Sequence, residues 1–351
     1  MDDELGPLAP APPLDTLGRP LRDLRVSVTD RCNFRCSYCM PREVYGRDYR
    51  FLPRADLLTF EEIGRLSGLL AAEGVRKVRL TGGEPLLRAE LPRLVAMLRP
   101  IAGIEDLTLT TNGSLLARHA PALADAGLDR VTVSLDALDD ETFQRLSDAP
   151  FTVADVLAGI DAAERAGLPV NVNMVVRRGV NEGSILPMAR HFRAAGHTLR
   201  FIEYMDVGHT NGWRLDDVVP ASEILATIGA EMPLEPLPPR YRGEVANRWR
   251  YRDGDGEVGI VASVSQPFCG DCTRLRLTAD GQLYTCLFGS AGHDVREPLR
   301  AGGSDVELRD LVRRLWLART DRYSELRTRA TGRGELPMVD QQRVEMSRVG
   351  G

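Results

Sequence analysis

The sequence predicts an α/β fold: an incomplete (β/α)6 barrel of the TIM type, followed by a C-terminal α+β extension that covers its open side. From residue 24 onward, six short runs rich in β-branched residues alternate with helical patterns, as in parallel βα units. Glycine-rich, polar or cysteine-bearing residues follow these runs, where a βα barrel places its active site. After residue 233 the pattern changes to short strands with Asp-Gly turns, which indicates the extension.

The six barrel strands are predicted from their β-branched runs. They cover residues 25–29, 77–80, 106–111, 130–135, 169–176 and 199–204. Helices are predicted to begin after Thr59, where Glu62 completes a capping box, and after Ser114 and Thr152. Two more are predicted over residues 91–98 and 221–228. Six units cannot close an eight-stranded barrel, so we expect an open arc that a later part of the chain covers.

Composition divides the chain into four predicted regions. These are a disordered leader (1–20), the partial barrel (21–232), a C-terminal region (233–319) and a tail ending in Gly350-Gly351 (320–351). The leader is rich in proline, alanine and acidic residues, which cannot build a core. Residues 233–239 hold four prolines and are predicted to form a stiff linker. The C-terminal region is predicted to contain strands at 249–252, 258–264 and 274–278 and a helix at 306–317.

The overall composition is typical of a soluble enzyme and excludes several classes of protein. The net charge of −5 does not predict binding to nucleic acid or to an anionic membrane. No apolar run is long enough to span a membrane, and the first residues lack the basic region of a signal peptide, so a cytoplasmic protein is expected. In that reducing compartment, the six cysteines indicate metal binding rather than disulfides.

The first cysteine triplet, Cys32, Cys36 and Cys39, follows the first predicted strand. Three thiolates from one loop can hold three irons of a four-iron cluster and leave the fourth iron without a protein ligand. The alternatives are half of a zinc site or thiols that face a helical core. A zinc site normally uses two pairs of ligands, and a helical stripe would not begin directly after a strand, so the cluster is favoured.

The second cysteine triplet, Cys269, Cys272 and Cys286, also lacks a fourth thiol. A zinc site here would need a distant ligand such as His293, and on spacing alone this alternative stays open. The other interpretation is a second four-iron cluster whose open iron binds substrate directly.

Pairs of cations lie on strands beside the two triplets. Arg274 and Arg276 are two residues apart on a predicted strand, so their side chains share one face. Lys77 and Arg79 repeat this pattern, and Arg25 begins the first strand. Buried cations need an anion, and guanidinium groups suit phosphate, so a polyphosphate ligand is expected.

Motifs distributed along the chain carry a family resemblance. They are C-x3-C-x2-C at 32–39, TGGEP at 81–85, TTNG at 110–113, VSLDA at 133–137, FIEYMDVG at 201–208, C-x2-C-T-R-L-R at 269–276 with Cys286, and the terminal Gly-Gly. From about residue 24 to the end, the chain resembles the GTP 3′,8-cyclase family of radical S-adenosylmethionine (SAM) enzymes, which begin molybdenum cofactor biosynthesis. The resemblance implies two 4Fe-4S clusters and SAM as cofactors.

The resemblance also implies roles for individual residues. Cys32, Cys36 and Cys39 would hold the cluster that binds SAM, and Cys269, Cys272 and Cys286 the cluster that receives guanine. The implied SAM contacts are Tyr38, Gly82, Gly83, Glu84, Ser134 and Met205. The implied GTP contacts are Arg25, Lys77, Arg79, Thr110, Asn171, Arg200, Arg274 and Arg276. Arg274, Gly350 and Gly351 would act in catalysis, with the two glycines threaded into the barrel mouth. The alternatives are a frayed tail and, for Glu84, a carboxylate that caps a helix start.

In this family a 5′-deoxyadenosyl radical made from SAM removes hydrogen from C3′ of GTP, and C3′ then attacks C8 of the guanine. The implied product is 3′,8-cyclo-7,8-dihydro-GTP. The resemblance further implies a homodimer, an electron donor such as flavodoxin or ferredoxin, and transfer of the product to cyclic pyranopterin monophosphate synthase. Members usually carry lysine where this chain has Asn171, so weaker GTP binding is expected, with Arg177 or Arg178 as candidates to supply the charge.

Two other functions fit the sequence less well. A peptide-modifying radical SAM maturase would not need the cation pairs or the terminal Gly-Gly. A two-cluster electron carrier would need complete cysteine ligation, which both triplets lack.

Overall fold

Six parallel strands form the arc that the sequence predicts, in a computed structural model that describes residues 12–331 and 343–350. The strands are β1 (Asp23–Ser27), β2 (Lys77–Thr81), β3 (Asp106–Thr111), β4 (Arg130–Ser134), β5 (Val170–Val176) and β6 (Thr198–Glu203). β1 begins two residues earlier than predicted, because Asp23 already pairs with Lys77 of β2. The (β/α)6 arc is confirmed.

Helices follow the strands and cover the outside of the arc. They are α1 (Phe60–Ala72), α2 (Leu91–Leu98), α3 (Leu116–Asp125), α4 (Asp140–Ser147), α5 (Val153–Arg165), α6 (Ile185–Ala194) and α7 (Ala221–Gly229). The capping boxes at Thr59 and Thr152 are confirmed. The predicted cap at Ser114 is wrong: Leu115 precedes α3, while the Ser114 hydroxyl donates to Asn112 and accepts from Asn33.

The strands of the arc alternate between two environments, which positions the site. On β1, Leu24 and Val26 are fully buried in the hydrophobic core. Asp23 and Arg25 alternate with them, and both line an internal cavity. This period of two places polar side chains of neighbouring strands together inside the arc.

The C-terminal extension lengthens both edges of the arc. Its strands are β7 (Leu234–Leu237), β8 (Asn247–Tyr251), β9 (Glu257–Val261), β10 (Arg274–Leu277), β11 (Gln282–Tyr284) and β12 (His293–Asp294). β9 pairs with β6 and β10 with β1, both in parallel, giving one open twelve-stranded sheet with β12 and β7 at its edges. Its helices are α8 (Arg296–Arg300), α9 (Asp305–Leu317), α10 (Tyr323–Thr331) and α11 (Met346–Val349).

The predicted linker at 233–239 is wrong, because Leu234–Leu237 forms β7 and pairs antiparallel with β8. Pro236 lies opposite Trp249 in this pair. Proline is tolerated there because β7 is an edge strand, where a missing N–H group leaves no neighbouring strand unpaired.

The predicted disordered leader is wrong for residues 12–20, while residues 1–11 lie outside the described part of the chain. Leu14 bridges to Pro20, and Asp15 forms a fully buried ion pair with Arg19. The Trp316 indole donates to the backbone oxygen of Arg19 at 3.0 Å. Composition did not indicate this order, because the partners lie about 300 residues further along the chain. None of the described helices is both long and apolar enough to cross a membrane.

Candidate active site

The first cysteine triplet lies on the loop that follows β1, at the carboxyl end of the arc. The backbone N–H groups of Cys39 and Met40 both donate to the Cys36 oxygen, at 3.0 and 2.8 Å. Burial, and then the neighbouring thiols of Cys32 and Cys39, raise the pKa of Cys36 well above its usual value. Burial and Glu84 raise the pKa of Cys32 to about 12. Thiolates are therefore favoured at Cys32 and Cys36 only when a cation such as iron binds them.

Arg35 organises the backbone of this loop, a role that the sequence did not indicate. Its guanidinium donates to the backbone oxygens of Cys32 and Phe34 at 2.8 Å each, and to that of Tyr45 at 2.7 Å. Two sulfur-directed donors, the Phe34 N–H at 3.4 Å and the Asn112 amide at 3.9 Å, approach Cys32. Such N–H···S contacts suit the thiolates of an iron–sulfur cluster.

Gly82 and Gly83 end β2 directly against the first cysteine loop. A Cβ atom on Gly83 would lie 2.2 Å from the Arg31 oxygen, and one on Gly82 would lie 2.4 Å from the Thr29 oxygen. The Gly83 N–H donates to Thr29 at 2.9 Å. Glycine is thus required at these positions because two backbones touch, independently of any contact with SAM.

Glu84 is buried, and its carboxylate joins the loops that follow β2 and β3. It accepts hydrogen bonds from the Leu86 N–H at 3.0 Å, the Thr111 hydroxyl at 2.7 Å and the Asn112 N–H at 2.8 Å. Burial raises the pKa of Glu84 to about 7. Both carboxylate oxygens are engaged within the protein, which favours the helix-start interpretation over a contact with the SAM amino group.

The other predicted SAM contacts lie on loops at the same end of the arc. The Tyr38 hydroxyl donates to Asp136 at 2.7 Å, and Asp136 also accepts from the Val175 N–H at 2.8 Å. Ser134 ends β4, and Met205 follows β6 and lines the internal cavity. Asp136, within the VSLDA motif, is an anchor for Tyr38 that the sequence analysis missed.

The internal cavity has a volume of about 720 Å³ and contains most of the predicted substrate contacts. Those that line it are Arg25, Lys77, Arg79, Asn171, Arg200, Arg274 and Arg276, together with Cys269, Cys272 and Cys286. Thr110 is not among the lining residues, and its buried hydroxyl oxygen has no hydrogen-bond partner among residues 12–331 and 343–350.

Strand register concentrates the cations in this cavity. Arg25 lies opposite Arg276 on one side and Arg79 on the other, while Asp23 lies opposite Arg274 and Lys77. Burial and then these mutual charges lower the pKa of Arg25 well below its usual value. Burial, Arg79 and Arg130 likewise lower the pKa of Lys77 to about 8.

Donors within this cation cluster lack acceptors. Two nitrogens of Arg276, Nε and Nη1, are buried with no hydrogen-bond partner in the described part of the chain, as is Nε of Arg274. Burial and Arg274 lower the pKa of Arg276 to about 10. A bound polyanion would supply both the missing acceptors and the missing charge.

The second cysteine triplet lies at the other end of the arc from the first. Cys269 and Cys272 precede β10, which runs parallel to β1, so they sit at the amino end of these strands. The Arg274 guanidinium donates to the Cys272 sulfur at 3.5 Å. Burial raises the pKa of Cys272, but Arg274, Arg319 and Arg276 together lower it to about 6. This thiol is therefore prepared to bind metal as a thiolate.

Neither triplet resembles a site for a single ion. Across residues 12–331 and 343–350, no three His, Cys, Asp or Glu side chains are grouped to hold one metal ion. The ligands of a four-iron cluster bind different irons and need not converge on one point. The donor sets, three soft thiols with N–H or guanidinium groups directed at the sulfurs, fit 4Fe-4S clusters.

Asp15, Arg19 and Arg319 form a buried triad behind the second triplet, which the sequence analysis missed. Asp15 pairs with Arg19 at 2.5 Å and Arg319 at 3.3 Å, and the three side chains are at most 1% exposed. Arg19 donates to the Cys269 oxygen and Arg319 to the Cys272 oxygen, both at 2.7 Å. The triad thus fixes the backbone of two metal-ligand candidates.

Replacing Asp15 with asparagine should weaken iron binding at the second triplet. The change leaves two buried guanidinium groups without their shared anion, which costs about 3 kcal/mol of unfolding free energy. In a background carrying alanine at Cys32, Cys36 and Cys39, we expect the reconstituted iron content of the Asp15→Asn protein to fall by at least half. Asp305→Asn, which breaks the exposed Arg65–Asp305 pair, is the control and should leave iron unchanged. Equal iron in both variants would contradict this role.

Arg130 and Tyr241 also line the cavity and were not predicted. Arg130 begins β4 and pairs with Asp106 at 2.6 Å, as Lys77 does at the start of β2 at 3.0 Å. That position could have indicated Arg130. The centre of the Tyr241 ring lies 5.6 Å from the Lys77 ammonium. No local sequence pattern indicated that Tyr241 would belong to the site.

Arg177 and Arg178 do not supply charge to the cavity, because they pair with Asp217 and Glu223 and are not among the lining residues. The cations next to Asn171 are instead Arg130 and Arg200. When the Asn171 side-chain amide is oriented with its oxygen toward Arg130 and Arg200, it accepts a hydrogen bond from each guanidinium at 3.3 Å.

The C-terminal tail returns to the interior of the arc. Arg25 donates to the Gly350 oxygen at 3.0 Å, and Gly350 has a φ of 68°. A Cβ atom on Gly350 would lie 2.1 Å from the Thr81 methyl group. Gly351 lies outside the described residues. Earlier in the tail, the Arg343 guanidinium forms an ion pair with the Asp206 carboxylate at 3.1 Å.

Comparisons with known proteins agree with this geometry. The family model of the radical SAM superfamily matches residues 26–192, and the model described as Molybdenum Cofactor Synthesis C matches residues 197–325. A protein of Acidothermus cellulolyticus named GTP 3′,8-cyclase is 61% identical over 318 residues, which cover 89% of this chain and 88% of that protein. A protein of Xanthomonas axonopodis pv. citri with the same name is 52% identical over 342 residues, covering 97% and 99%.

Among solved structures, Streptococcus suis SuiB bound to S-adenosylmethionine matches with a TM-score of 0.56. The match has 14% identity and covers 84% of this chain and 68% of that one, which is a likeness of fold alone.

Proposed function

The chain belongs to the GTP 3′,8-cyclase family of radical SAM enzymes, and we propose that it binds GTP with the triphosphate on the arginine cluster and the guanine at the second triplet. Its reaction converts GTP to 3′,8-cyclo-7,8-dihydro-GTP, the first step of molybdenum cofactor biosynthesis, with SAM and two 4Fe-4S clusters as cofactors. The observation that carries the proposed binding mode is the row Arg276, Arg25 and Arg79, which lines the cavity beside the second triplet.

The cation cluster orients one end of the nucleotide. Arg276 and Arg274 have buried N–H groups without acceptors, and phosphate oxygens can accept from them in the planar geometry of guanidinium. Because the cluster is buried, each such bond is stronger than it would be in water. Binding at two separated points leaves the ribose between them, which restricts its motion during reaction.

The cysteine residues at the two ends have different roles. Cys32, Cys36 and Cys39 would hold the cluster to which SAM binds, and Cys269, Cys272 and Cys286 the cluster that receives the base. The cluster and SAM held there would supply the radical chemistry at C3′, and the residues of the chain would hold and orient the reacting groups. Arg274 donates to the Cys272 sulfur and also lines the cavity. It would therefore lie between the base-binding site and the phosphates.

The remaining residues exclude water and hold the reacting groups. Tyr38, anchored on Asp136, and Met205 would contact SAM at the mouth. The Gly350 oxygen in the tail accepts a hydrogen bond from Arg25, so the tail would close the cavity at this point. A reactive carbon radical attacks most C–H bonds, so a closed and ordered site is needed to direct it to C3′.

The proposed function is tested by anaerobic reconstitution with SAM, a chemical reductant and either GTP, ATP or CTP. We expect 5′-deoxyadenosine and a cyclised nucleotide with GTP only. Arg276→Ala should reduce the product about 100-fold at low GTP, because a buried charged hydrogen bond is lost. Arg300→Ala, which removes an exposed cation on α8, should not. Product from ATP at the same rate would overturn the assignment of the base site.

Replacing Asn171 with lysine should strengthen GTP binding. The new ammonium group would lie beside Arg130 and Arg200 and would repel these two cations when no nucleotide is bound. The negative charge of bound triphosphate would compensate this repulsion. We expect a roughly tenfold lower Kd for GTP, and a lower thermal midpoint without nucleotide. Asn171→Asp should change both quantities in the opposite direction. A lysine variant with unchanged affinity would show that this position does not contact the triphosphate.

The proposal extends to partners and location. As in the family, the chain would act in the cytoplasm as a homodimer, receive electrons from a flavodoxin or ferredoxin, and pass its product to cyclic pyranopterin monophosphate synthase. Size measurement by light scattering tests the dimer.

A further inference from the structure

A loop between the first cysteine triplet and α1, residues 41–56, lies directly over the cysteine-bearing backbone. The rings of Tyr45 and Tyr49 are 4.5 Å apart, and those of Tyr49 and Phe51 are 4.8 Å apart. Arg35 joins this aromatic stack to the Cys32 backbone, because its guanidinium donates to the oxygens of both Tyr45 and Cys32. The loop is therefore joined to the first cysteine triplet through Arg35.

The outer surface of this loop is basic although the chain as a whole is acidic. Residues 31–56 contain six arginines and three acidic residues, whereas the net charge of the chain is −5. We define the arginine surface as the exposed residues Arg31, Arg47, Arg50 and Arg54. Within the described residues, none of these four is paired with a carboxylate, in contrast to Arg42 and Arg296, which pair with Asp148 and Asp56.

The same loop also exposes two large apolar side chains. Val44 is 43% exposed and Tyr49 is 38% exposed, between the arginines in sequence. A small apolar contact on a charged surface suits the weak, transient complexes between electron-transfer proteins. Free arginines around it would attract an acidic partner and raise its rate of association.

Resting on the proposed function, we propose that the arginine surface is the docking site for an acidic one-electron carrier protein. The carrier is oxidised by one electron, and the iron–sulfur site held by Cys32, Cys36 and Cys39 is reduced by one, so that SAM can be cleaved. The second triplet lies at the opposite end of the arc, so a carrier bound at the arginine surface delivers its electron to the first site.

The test compares two reductants on the reconstituted holoenzyme with GTP and SAM. Reduced flavodoxin must dock, whereas dithionite is small and does not need a docking surface. In the variant Arg47→Glu/Arg50→Glu, we expect the flavodoxin-supported rate of 5′-deoxyadenosine formation to fall at least about tenfold, with a weaker dependence on ionic strength. The dithionite-supported rate should stay within twofold of the wild type.

The matched control is Arg118→Glu/Arg165→Glu, which makes the same charge change at exposed positions on α3 and α5. It should behave as the wild type with both reductants. An unchanged flavodoxin rate in Arg47→Glu/Arg50→Glu, or an equal loss in the control, would overturn the docking site. If the rate falls with both reductants, the two rates are measured again in Arg47→Gln/Arg50→Gln. A loss confined to flavodoxin then supports the docking site, and an unchanged flavodoxin rate overturns it.

The two proposals fail in different ways. If the wild type with dithionite makes no cyclised GTP, the proposed function fails. If it does, but flavodoxin-supported turnover is insensitive to the arginine surface, only the docking site fails.

Discussion

Replacing Cys36 with alanine is expected to abolish formation of 5′-deoxyadenosine while iron still binds at the second triplet. Cys36 is half-buried, with Cys32 and Cys39 as neighbouring thiols, and two thiols cannot hold three corners of a cluster. The iron content after reconstitution should fall from about eight to about four per chain. The measurement is iron analysis together with chromatography of the adenosine product.

The complementary variant Cys272→Ala separates the two sites. It should retain reductive cleavage of SAM, because the first triplet is intact at the opposite end of the arc. It should make no cyclised GTP, because the guanine of GTP would lose the iron site to which it is proposed to bind. Retention of 5′-deoxyadenosine formation in Cys36→Ala, or of cyclised product in Cys272→Ala, would contradict the division of roles.

The second large effect is expected from Gly350→Ala, which should reduce cyclised product at least about 100-fold with iron content unchanged. The residue has a φ of 68°, and a Cβ atom would lie 2.1 Å from the Thr81 methyl group. The tail must therefore move, and Arg25 loses the Gly350 oxygen. Product formation is measured at saturating SAM and GTP.

Gly302→Ala is the matched control for this variant. Gly302 also has a positive φ, 86°, but a Cβ atom there meets nothing within 4 Å. It therefore introduces comparable backbone strain without displacing the tail. Full activity in Gly350→Ala would instead indicate a frayed tail.

Local spacing in the sequence was sufficient to predict much of the site. The two cysteine triplets indicated iron–sulfur ligands because each provides three thiols without a fourth, although for the second triplet the zinc alternative stayed open on spacing alone. The pairs Lys77/Arg79 and Arg274/Arg276 indicated shared faces because a strand has a period of two. All four of these cations line the cavity.

Long-range partners could not be predicted in the same way. The triad of Asp15, Arg19 and Arg319 joins segments about 300 residues apart, and nothing near Asp15 marks it as buried. β7 was missed because an edge strand tolerates the prolines that usually indicate a linker. For Glu84, the donors that its carboxylate accepts from, the Thr111 hydroxyl and the Asn112 N–H, can be identified only when the TTNG loop is in place.

The sequence by itself determined the six βα units and the excess of cations on β1, β2 and β10, and it indicated both sets of candidate metal ligands. These depend on residue types and on periods that act over a few positions. Only the tertiary structure decided that β10 pairs with β1, which places Arg276, Arg25 and Arg79 in one row and the two triplets at opposite ends of the arc. Strand register follows from packing over the whole sheet, so no short stretch of the chain contains it.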